Sequence, residues 1–310
     1  MTAPRVSVAM CTYNGAQFVT AQLESILNQT CRDLEVVIVD DASTDETPDI
    51  LERFQHKDSR IRLLRNEVNQ GFLKNFERAL DACSADIIAL ADQDDIWFEN
   101  KIEVLLGELD DNLLVYSNVS LIDELGEPLD AVFPSVKRLS GHCALALIMN
   151  NCVTGHACLI RRELLNQALP FPEGVRVHDQ WLAIVAAASG RLRASDQFLS
   201  LYRKHSNNAV FKRKGKRRVS KADQKTASDA KCFGLAQAML ASKLFDARET
   251  ALLKRFDELL RRNQHCFYNR QLDQFLMEHQ EDFLLLFSDR KKAAKKLSRG
   301  RWYYRVLPFA

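Results

Sequence analysis

At 310 residues and 46% hydrophobic side chains, the chain has material for one large α/β domain, or for one domain with a helical appendage. Its 43 basic residues against 41 acidic ones leave a formal charge of +2, which excludes a partner recruited by bulk electrostatics alone. Eight cysteines without a Cys-x-x-Cys pair exclude the usual zinc and disulfide spacings, and no apolar run approaches the roughly 20 residues that span a bilayer.

Val6 to Cys11 is a short apolar run suited to a buried strand, ended by Asn14-Gly15. Val19, Leu23, Ile26 and Leu27 then repeat at helical spacing. Leu34 to Val39, rich in β-branched residues, predicts the second strand, and Ser43 and Thr44 offer N-caps to a helix carrying Ile50, Leu51 and Phe54. Ile61 to Leu64 predicts a third strand, followed by Asn69-Gln70-Gly71 and a helix through Phe72, Phe76, Ala79 and Leu80. Asp86 to Leu90 is the fourth strand, and Lys101 to Leu109 the next helix. Strands alternating with helices in this way imply a parallel sheet with helices on both faces.

Beyond residue 110 the pattern loosens. Leu113 to Leu121, Cys152 to Ile160 and Phe198 to Tyr202 read as strands. Arg161 to Ala168 reads as a helix stopped by Pro170, and Asp179 to Ala188 as one ended by Gly190. From about Ser220 the period is helical, with Leu235, Met239, Leu244, Leu252, Leu253, Phe256, Leu259 and Leu260 as core positions. The basic segment Phe211 to Val219 reads as a loop or boundary. Free thiols, and a start that leads straight into a strand without a signal-peptide apolar region, point to a cytoplasmic protein.

The chemistry concentrates at strand ends, where ligands bind in an open parallel sheet. The first end carries Thr12-Tyr13-Asn14, the second Asp40 to Asp45, the third Asn66 to Gly71, and the fourth Asp92-Gln93-Asp94-Asp95. Three carboxylates in four positions repel one another, and a divalent cation among them relieves that. Each motif alone has a plainer reading as a turn former, a helix cap or a solvated acidic turn. Their recurrence at successive ends suits a nucleoside diphosphate held with a metal.

In combination, Thr-Tyr-Asn-Gly, Asp-Asp-Ala-Ser-Thr-Asp, Asn-x-Gly with Asn75, and Asp-x-Asp-Asp resemble a family 2 glycosyltransferase with the GT-A fold, over roughly residues 5–205. The run Asp92 to Trp97 is most similar to bacterial rhamnosyltransferase-like members that build surface polysaccharides. The resemblance implies an α/β GT-A domain over 1–210, with a nucleotide-sugar half to about 110 and an acceptor half from about 111, then a helical region over 211–310. It implies a nucleoside pocket at Thr12, Tyr13, Asn14 and Asp41, and a segment beside the nucleotide at Asn69, Gly71, Lys74 and Asn75. Asp92, Gln93 and Asp94 form the Asp-x-Asp motif, with Asp92 toward the sugar-nucleotide, Asp94 toward Mg2+ or Mn2+, and Asp95 able to replace either. His205 would close the metal shell.

Asp179 would be the catalytic base, in a motif where His178 replaces the family's glutamate; a helix N-cap is its alternative reading. His156, His178 and Trp181 fall on the acceptor side. The implied reaction is metal-dependent and inverting, from a dTDP- or UDP-linked sugar, dTDP-rhamnose first. The acceptor is a glycan or lipid-linked glycan of O-antigen, lipopolysaccharide core or capsule. A nucleotidyltransferase of the same fold is the alternative, though it would want a Gly-rich phosphate loop where this chain has only Gly15. Basic runs from Arg290 to Arg305, interleaved with aromatics at the end, suit either an anionic membrane surface or a solvated helix face. No nucleic-acid recognition module is readable.

Overall fold

The computed structural model describes residues 4–131, 133–206, 208, 220–263 and 265–300. The expected loop at 211–219 and the basic aromatic segment at 301–309 lie outside the described residues. By internal contacts the chain forms two compact units that alternate along the sequence. The first comprises residues up to Ser135 with Val153–Phe171 and Arg191–His205. The second comprises Val136–Cys152, Pro172–Gly190 and residues from Ser206 onward.

Unit 1 is built on eight strands: β1 (Val6–Thr12), β2 (Leu34–Asp40), β3 (Ile61–Arg65), β4 (Ile87–Ala91), β5 (Ile96–Trp97), β6 (Leu114–Ile122), β7 (Cys158–Arg161) and β8 (Leu192–Arg203). Its helices are α1 (Val19–Leu27), α2 (Thr47–Lys57), α3 (Phe72–Ala82), α4 (Lys101–Leu109) and the short α5 (Leu165–Ala168). The strands form one sheet in the order β3-β2-β1-β4-β7-β6-β8-β5. The first four strands are parallel, as expected. The rest is mixed: β7 runs antiparallel to β4 and β6, while β5 is antiparallel to β8.

Register fixes where the strands end. Thr12 lies beside Asp40, Asp40 beside Arg65, and Met10 beside Ala91, so the first four strands end along one edge. The order reverses between β1 and β4, the switch point at which open α/β sheets hold ligands. Val8, Val36, Ile38 and Ala89 pack with Leu23, Ile26 and Ile102 into a core wholly out of water.

Several local expectations change. The strand expected over Cys152–Ile160 is confined to β7, preceded by a 3-10 turn at Gly155–Ala157, because the unbroken apolar run begins only at Ala157. The expected Phe198–Tyr202 strand extends back to Leu192, paired along β6. Ser43 and Thr44 do not cap α2. The helix starts at Thr47 with Pro48 in its first turn, where proline's fixed φ is favoured. The Ser43 hydroxyl is committed to Asp40, and Asp45 instead accepts the Thr47 amide at 3.0 Å.

Unit 2 contains a 3-10 turn (Ala144–Ile148), α6 (His178–Ala188), α7 (Lys221–Ser242), α8 (Ala247–Asn263), α9 (Arg270–Glu278), α10 (Gln280–Phe283) and α11 (Arg290–Ser298). The turn packs on α6, α7 and α10, α7 packs on α8, and α9 packs on α8 and α11. Phe256 and Phe283 stack with ring centroids 5.2 Å apart. The expected core positions are buried except Leu244, which follows the left-handed C-cap Lys243 and is half-buried. Gly174 and Gly234 cross so closely that a Cβ on Gly174 would lie 2.7 Å from the Gly234 carbonyl oxygen, and only glycine fits there. All eight cysteines are free thiols. Among the described residues no helix is long and apolar enough to cross a membrane.

Candidate active site

At the ends of β1 and β2 the side chains lock the loops together. Thr12 Oγ1 donates to Asp40 Oδ1 at 2.9 Å. Asn14, held at a left-handed φ of 47°, receives the Thr44 amide on its Oδ1 and gives its own amide to Ser43 Oγ. Asp41 is 2% exposed, and its carboxylate accepts from the Gln70 amide (2.7 Å), the Gly71 amide (2.8 Å) and Asn66 Nδ2 (2.8 Å). Asn69 Nδ2 donates to the Asp41 carbonyl. Asp41 therefore fixes the β3–α3 loop. Asn75 is buried and accepts from Asn66, whereas Lys74 pairs with Glu77 on the surface. Gln93 bridges the switch point, accepting the Tyr13 amide and donating to the Tyr13 carbonyl. A Cβ at Gly15 would fall 2.2 Å from Gln93 Oε1, so this glycine makes room for the bridge.

The acidic loop is met by β8. Ile96 opposes Leu201 in an antiparallel pair, so Asp94 and Asp95 run alongside Tyr202 and Arg203. The Arg203 amide donates to Asp95 Oδ1 (3.0 Å) and its Nε to the Asp94 carbonyl (3.0 Å). Two carboxylate–imidazole pairs result. Asp94 Oδ2 lies 2.8 Å from His205 Nε2, with the imidazole against Phe18. Asp95 Oδ2 lies 2.7 Å from His156 Nδ1, with Asp92 3.8 Å from the same nitrogen.

These two pairs differ in burial. Asp95 and His156 are both fully buried, and His156 stacks on Tyr202. Burial alone would lower the His156 imidazolium, but the Asp95 and Asp92 carboxylates outweigh it and raise it to about 9. Burial pushes Asp95 up to about 6, with His156 opposing. Beneath them, the wholly buried Lys101 donates to the His156 carbonyl and sits 3.1 Å from the Trp97 ring centroid. Burial drives its amine well below the ordinary lysine range.

Both sets have donors a cation could use. Asp92, Asp95 and His156 offer ligand atoms within 4.8 Å of one another, and His156 Nε2 is buried without a hydrogen-bond partner. Asp95, however, is already held by Arg203 and His156 and is fully buried. Asp94 and His205 are 2.8 Å apart through a hydrogen bond, and with that bond given up their oxygen and nitrogen could take neighbouring positions on an octahedral ion with ligands at about 2.1 Å. The Asp94 side chain keeps 14% exposure, enough to open onto the rim. The Asp94 carboxylate suits magnesium or manganese, and the His205 imidazole is a softer donor that fits manganese better than magnesium. This pair therefore fits the metal that the resemblance implies, with manganese favoured.

In unit 2, α6 opens with His178 and Asp179, and its N-cap is Val177, so Asp179 does not cap the helix. Its Oδ1 accepts from Asn151 Nδ2 at 2.9 Å and from the Gln180 amide at 2.6 Å. Burial lowers the Lys231 amine on α7, and the Asp179 carboxylate opposes that. His178 is 6% exposed, while Trp181 is wholly buried and serves the core. His156, expected on the acceptor side, is likewise in the interior of unit 1. Arg203, Lys101 and Asn151 escape a reading of the sequence. Only Arg203 carries a signal there, as the residue two before His205 at the end of a strand.

A family description, glycosyl transferase family 2, matches residues 7–168. The Escherichia coli UDP-Glc:alpha-D-GlcNAc-diphosphoundecaprenol beta-1,3-glucosyltransferase WfgD is 31% identical over 190 residues, covering 58% of this chain and 69% of that one. The fold is similar to S. aureus TarS 1–349 in complex with UDP-GlcNAc (TM-score 0.59, 19% identity, 83% of this chain and 72% of that one). It is also similar to the mannosyltransferase PcManGT from Pyrobaculum calidifontis in complex with GDP-Man and Mn2+ (TM-score 0.53, 21% identity, 84% and 71%). Two further curated relatives are matched over 30% and 65% of their own length, so the match spans only part of them.

Proposed function

This chain belongs to glycosyl transferase family 2, and from that premise we propose that it moves a sugar from a nucleoside-diphosphate donor to a hydroxyl of a bacterial surface glycan, with inversion. The supporting observation is the register that ends β1, β2, β3 and β4 on one edge, with the Asp94–His205 pair at the switch point. Thr12, Tyr13, Asn14 and Asp41 would flank the nucleoside, with Asn69, Gly71, Lys74 and Asn75 beside it. Asp92 and Gln93 would face the sugar diphosphate. The donor is dTDP- or UDP-linked, with dTDP-rhamnose the first candidate on the family resemblance.

Asp94 and His205 would hold Mg2+ or Mn2+, which when bound supplies positive charge against the departing diphosphate. Arg203 keeps the acidic loop in place by holding the Asp94 carbonyl and the Asp95 carboxylate. Asp179 accepts the proton of the attacking hydroxyl at its carboxylate, and one base without a second nucleophilic carboxylate gives single displacement. The acceptor is a glycan, or a sugar on a lipid diphosphate like that in the name of the E. coli relative. Contact of the basic run from Arg290 with an anionic membrane surface at the cytoplasmic face belongs to the same reading.

Transfer assayed over a panel of UDP- and dTDP-sugars with manganese or magnesium tests the function; no turnover with any donor would end it. Asp179→Asn keeps donor affinity and lowers transfer by about 10²–10⁴-fold, the usual share of a general base. Wild-type turnover in that variant would remove Asp179 from the reaction. Excess EDTA abolishes activity and added Mn2+ restores it.

A further inference from the structure

At the switch point one side chain spans two loops that the sheet itself leaves apart. The ladder between β1 and β4 stops at Met10 and Ala91. Beyond it, the Gln93 carboxamide takes both backbone groups of Tyr13, its Oε1 accepting the amide at 2.8 Å and its Nε2 donating to the carbonyl at 3.1 Å. A primary amide set against an N–H and a C=O in this way reproduces one rung of a strand ladder with a side chain.

The residues after Tyr13 are held from the other side. The Asn14 amide donates to Ser43 Oγ (2.9 Å), the Gly15 amide to Thr47 Oγ1 (2.8 Å) and the Ala16 amide to Asp45 (3.1 Å). Those partners follow β2, and β2 and β4 flank β1 on opposite sides. Tyr13 is thus gripped from the β4 side, by the residue that stands between Asp92 and Asp94. Its ring is 47% exposed, so the backbone that carries it does much to set where it points.

Gly15 gives an independent sign that this contact is specific. The three atoms nearest to a Cβ added there all belong to the Gln93 carboxamide, at 2.2, 2.5 and 3.0 Å. Gly15 is not among the residues at positive φ, so alanine there would add only that Cβ and no backbone strain. The glycine is required by the bridge and not by the turn.

We infer that Gln93 is a positioning residue for the donor: by holding the Tyr13 backbone it aims the ring at the nucleoside, and Gly15 leaves the carboxamide the space to do so. Both ends of the carboxamide are engaged, so Gln93 turns to the sugar diphosphate through its main chain. The inference rests on the reading of Tyr13 as a nucleoside-flanking residue, and its test separates the two.

UDP and dTDP are titrated calorimetrically into the full chain with Mn2+, and the tighter of the two is the probe. Gln93→Ala weakens its binding about tenfold, because the Tyr13 backbone must then be ordered at the moment of binding. Gln93→Met keeps the length of the side chain without its two hydrogen bonds, and weakens binding as much. Gly15→Ala does the same with Gln93 present. Gly15→Ala/Gln93→Ala loses no more than Gln93→Ala alone, since the clash goes with the side chain. Mn2+ titrated alone binds every variant as it binds the wild type, because Arg203 and His205 hold Asp94 from β8. Wild-type nucleotide affinity in both Gln93 variants, with Tyr13→Ala weakened, overturns the inference and leaves the nucleoside reading standing. Additive losses in the double variant overturn it too, as does Mn2+ affinity that falls together with nucleotide affinity, the contact then serving only the general stability of the loop. Wild-type affinity in Tyr13→Ala removes Tyr13 from the nucleoside site, and the inference with it.

Discussion

Asp95 and His156 are both fully buried and lie 2.7 Å apart, in a place where neither could be charged without the other. Removing one partner of such a pair strands a charge in a dry interior, a loss of about 3–5 kcal/mol. Asp95→Ala and His156→Ala are each expected to destabilise by that order in thermal unfolding with EDTA present. The double variant should lose clearly less than the sum, because the second change removes the stranded charge. Additive losses would show that the two residues do not act as a pair. Neither residue's setting is legible in the sequence. Asp95 reads there as an interchangeable member of an acidic run, and His156 as a weak acceptor-side residue, because linear order carries no sign that Gly155–Ala157 folds under the β4 end. The family pattern does pair Asp94 with His205. What brings them within 2.8 Å is the antiparallel β5–β8 register, which the sequence does not announce.

Elements are far more readable than their partners. The strands up to β4 and the helices α1, α3 and α4 follow from β-branched runs and 3.6-residue periods bounded by Asn, Gly and Asp, signals that burial on one face enforces. The start of α2 is misplaced by sequence because tertiary contacts take both expected caps, the Ser43 hydroxyl going to Asp40 and the Thr44 hydroxyl to Asn14. The N-cap position falls to Glu46, and Asp45 just before it joins two elements, accepting the Thr47 amide at 3.0 Å and the Ala16 amide at 3.1 Å. Burial pulls its carboxyl upward, but these hydrogen bonds outweigh that and hold it below the usual range. A depressed carboxyl contributes stability above its unfolded pKa and loses it as pH falls through the folded value. Asp45→Ala should therefore cost about 1 kcal/mol near neutrality, a capping-sized loss kept small by solvent screening at this exposed site. The difference from wild type should shrink as denaturant unfolding is repeated at pH values below the ordinary carboxylate range. A gap that stays constant into acid would mean that the Asp45 contacts do not depend on its charge.

At the scale of the molecule, the sequence suggests one break near residue 210, whereas contacts tie residues 136–152 and 172–190 to the helical unit. No composition shift marks those segments, since a buried helix such as α6 is as apolar as a strand. The proposed donor site, by contrast, draws only on unit 1, and that gives it a signature. A nucleoside diphosphate that binds the folded chain at about a hundred times its dissociation constant adds about 2.7 kcal/mol to the stability of what it touches, slowing opening there by about a hundredfold. UDP with Mn2+, and dTDP with Mn2+ in parallel, should slow hydrogen exchange at residues 12–15, 41–45, 66–71 and 92–95. The α8 and α9 amides lie in unit 2, so their exchange through local opening should not change. The β8 end should respond only when the metal is present, because His205 and Arg203 reach the acidic loop while the nucleoside-flanking residues belong to the first two strand ends. Protection of α8 and α9 with an unchanged strand-end rim would place nucleotide binding in the wrong unit and remove the basis for assigning Asp94 and His205 to the metal.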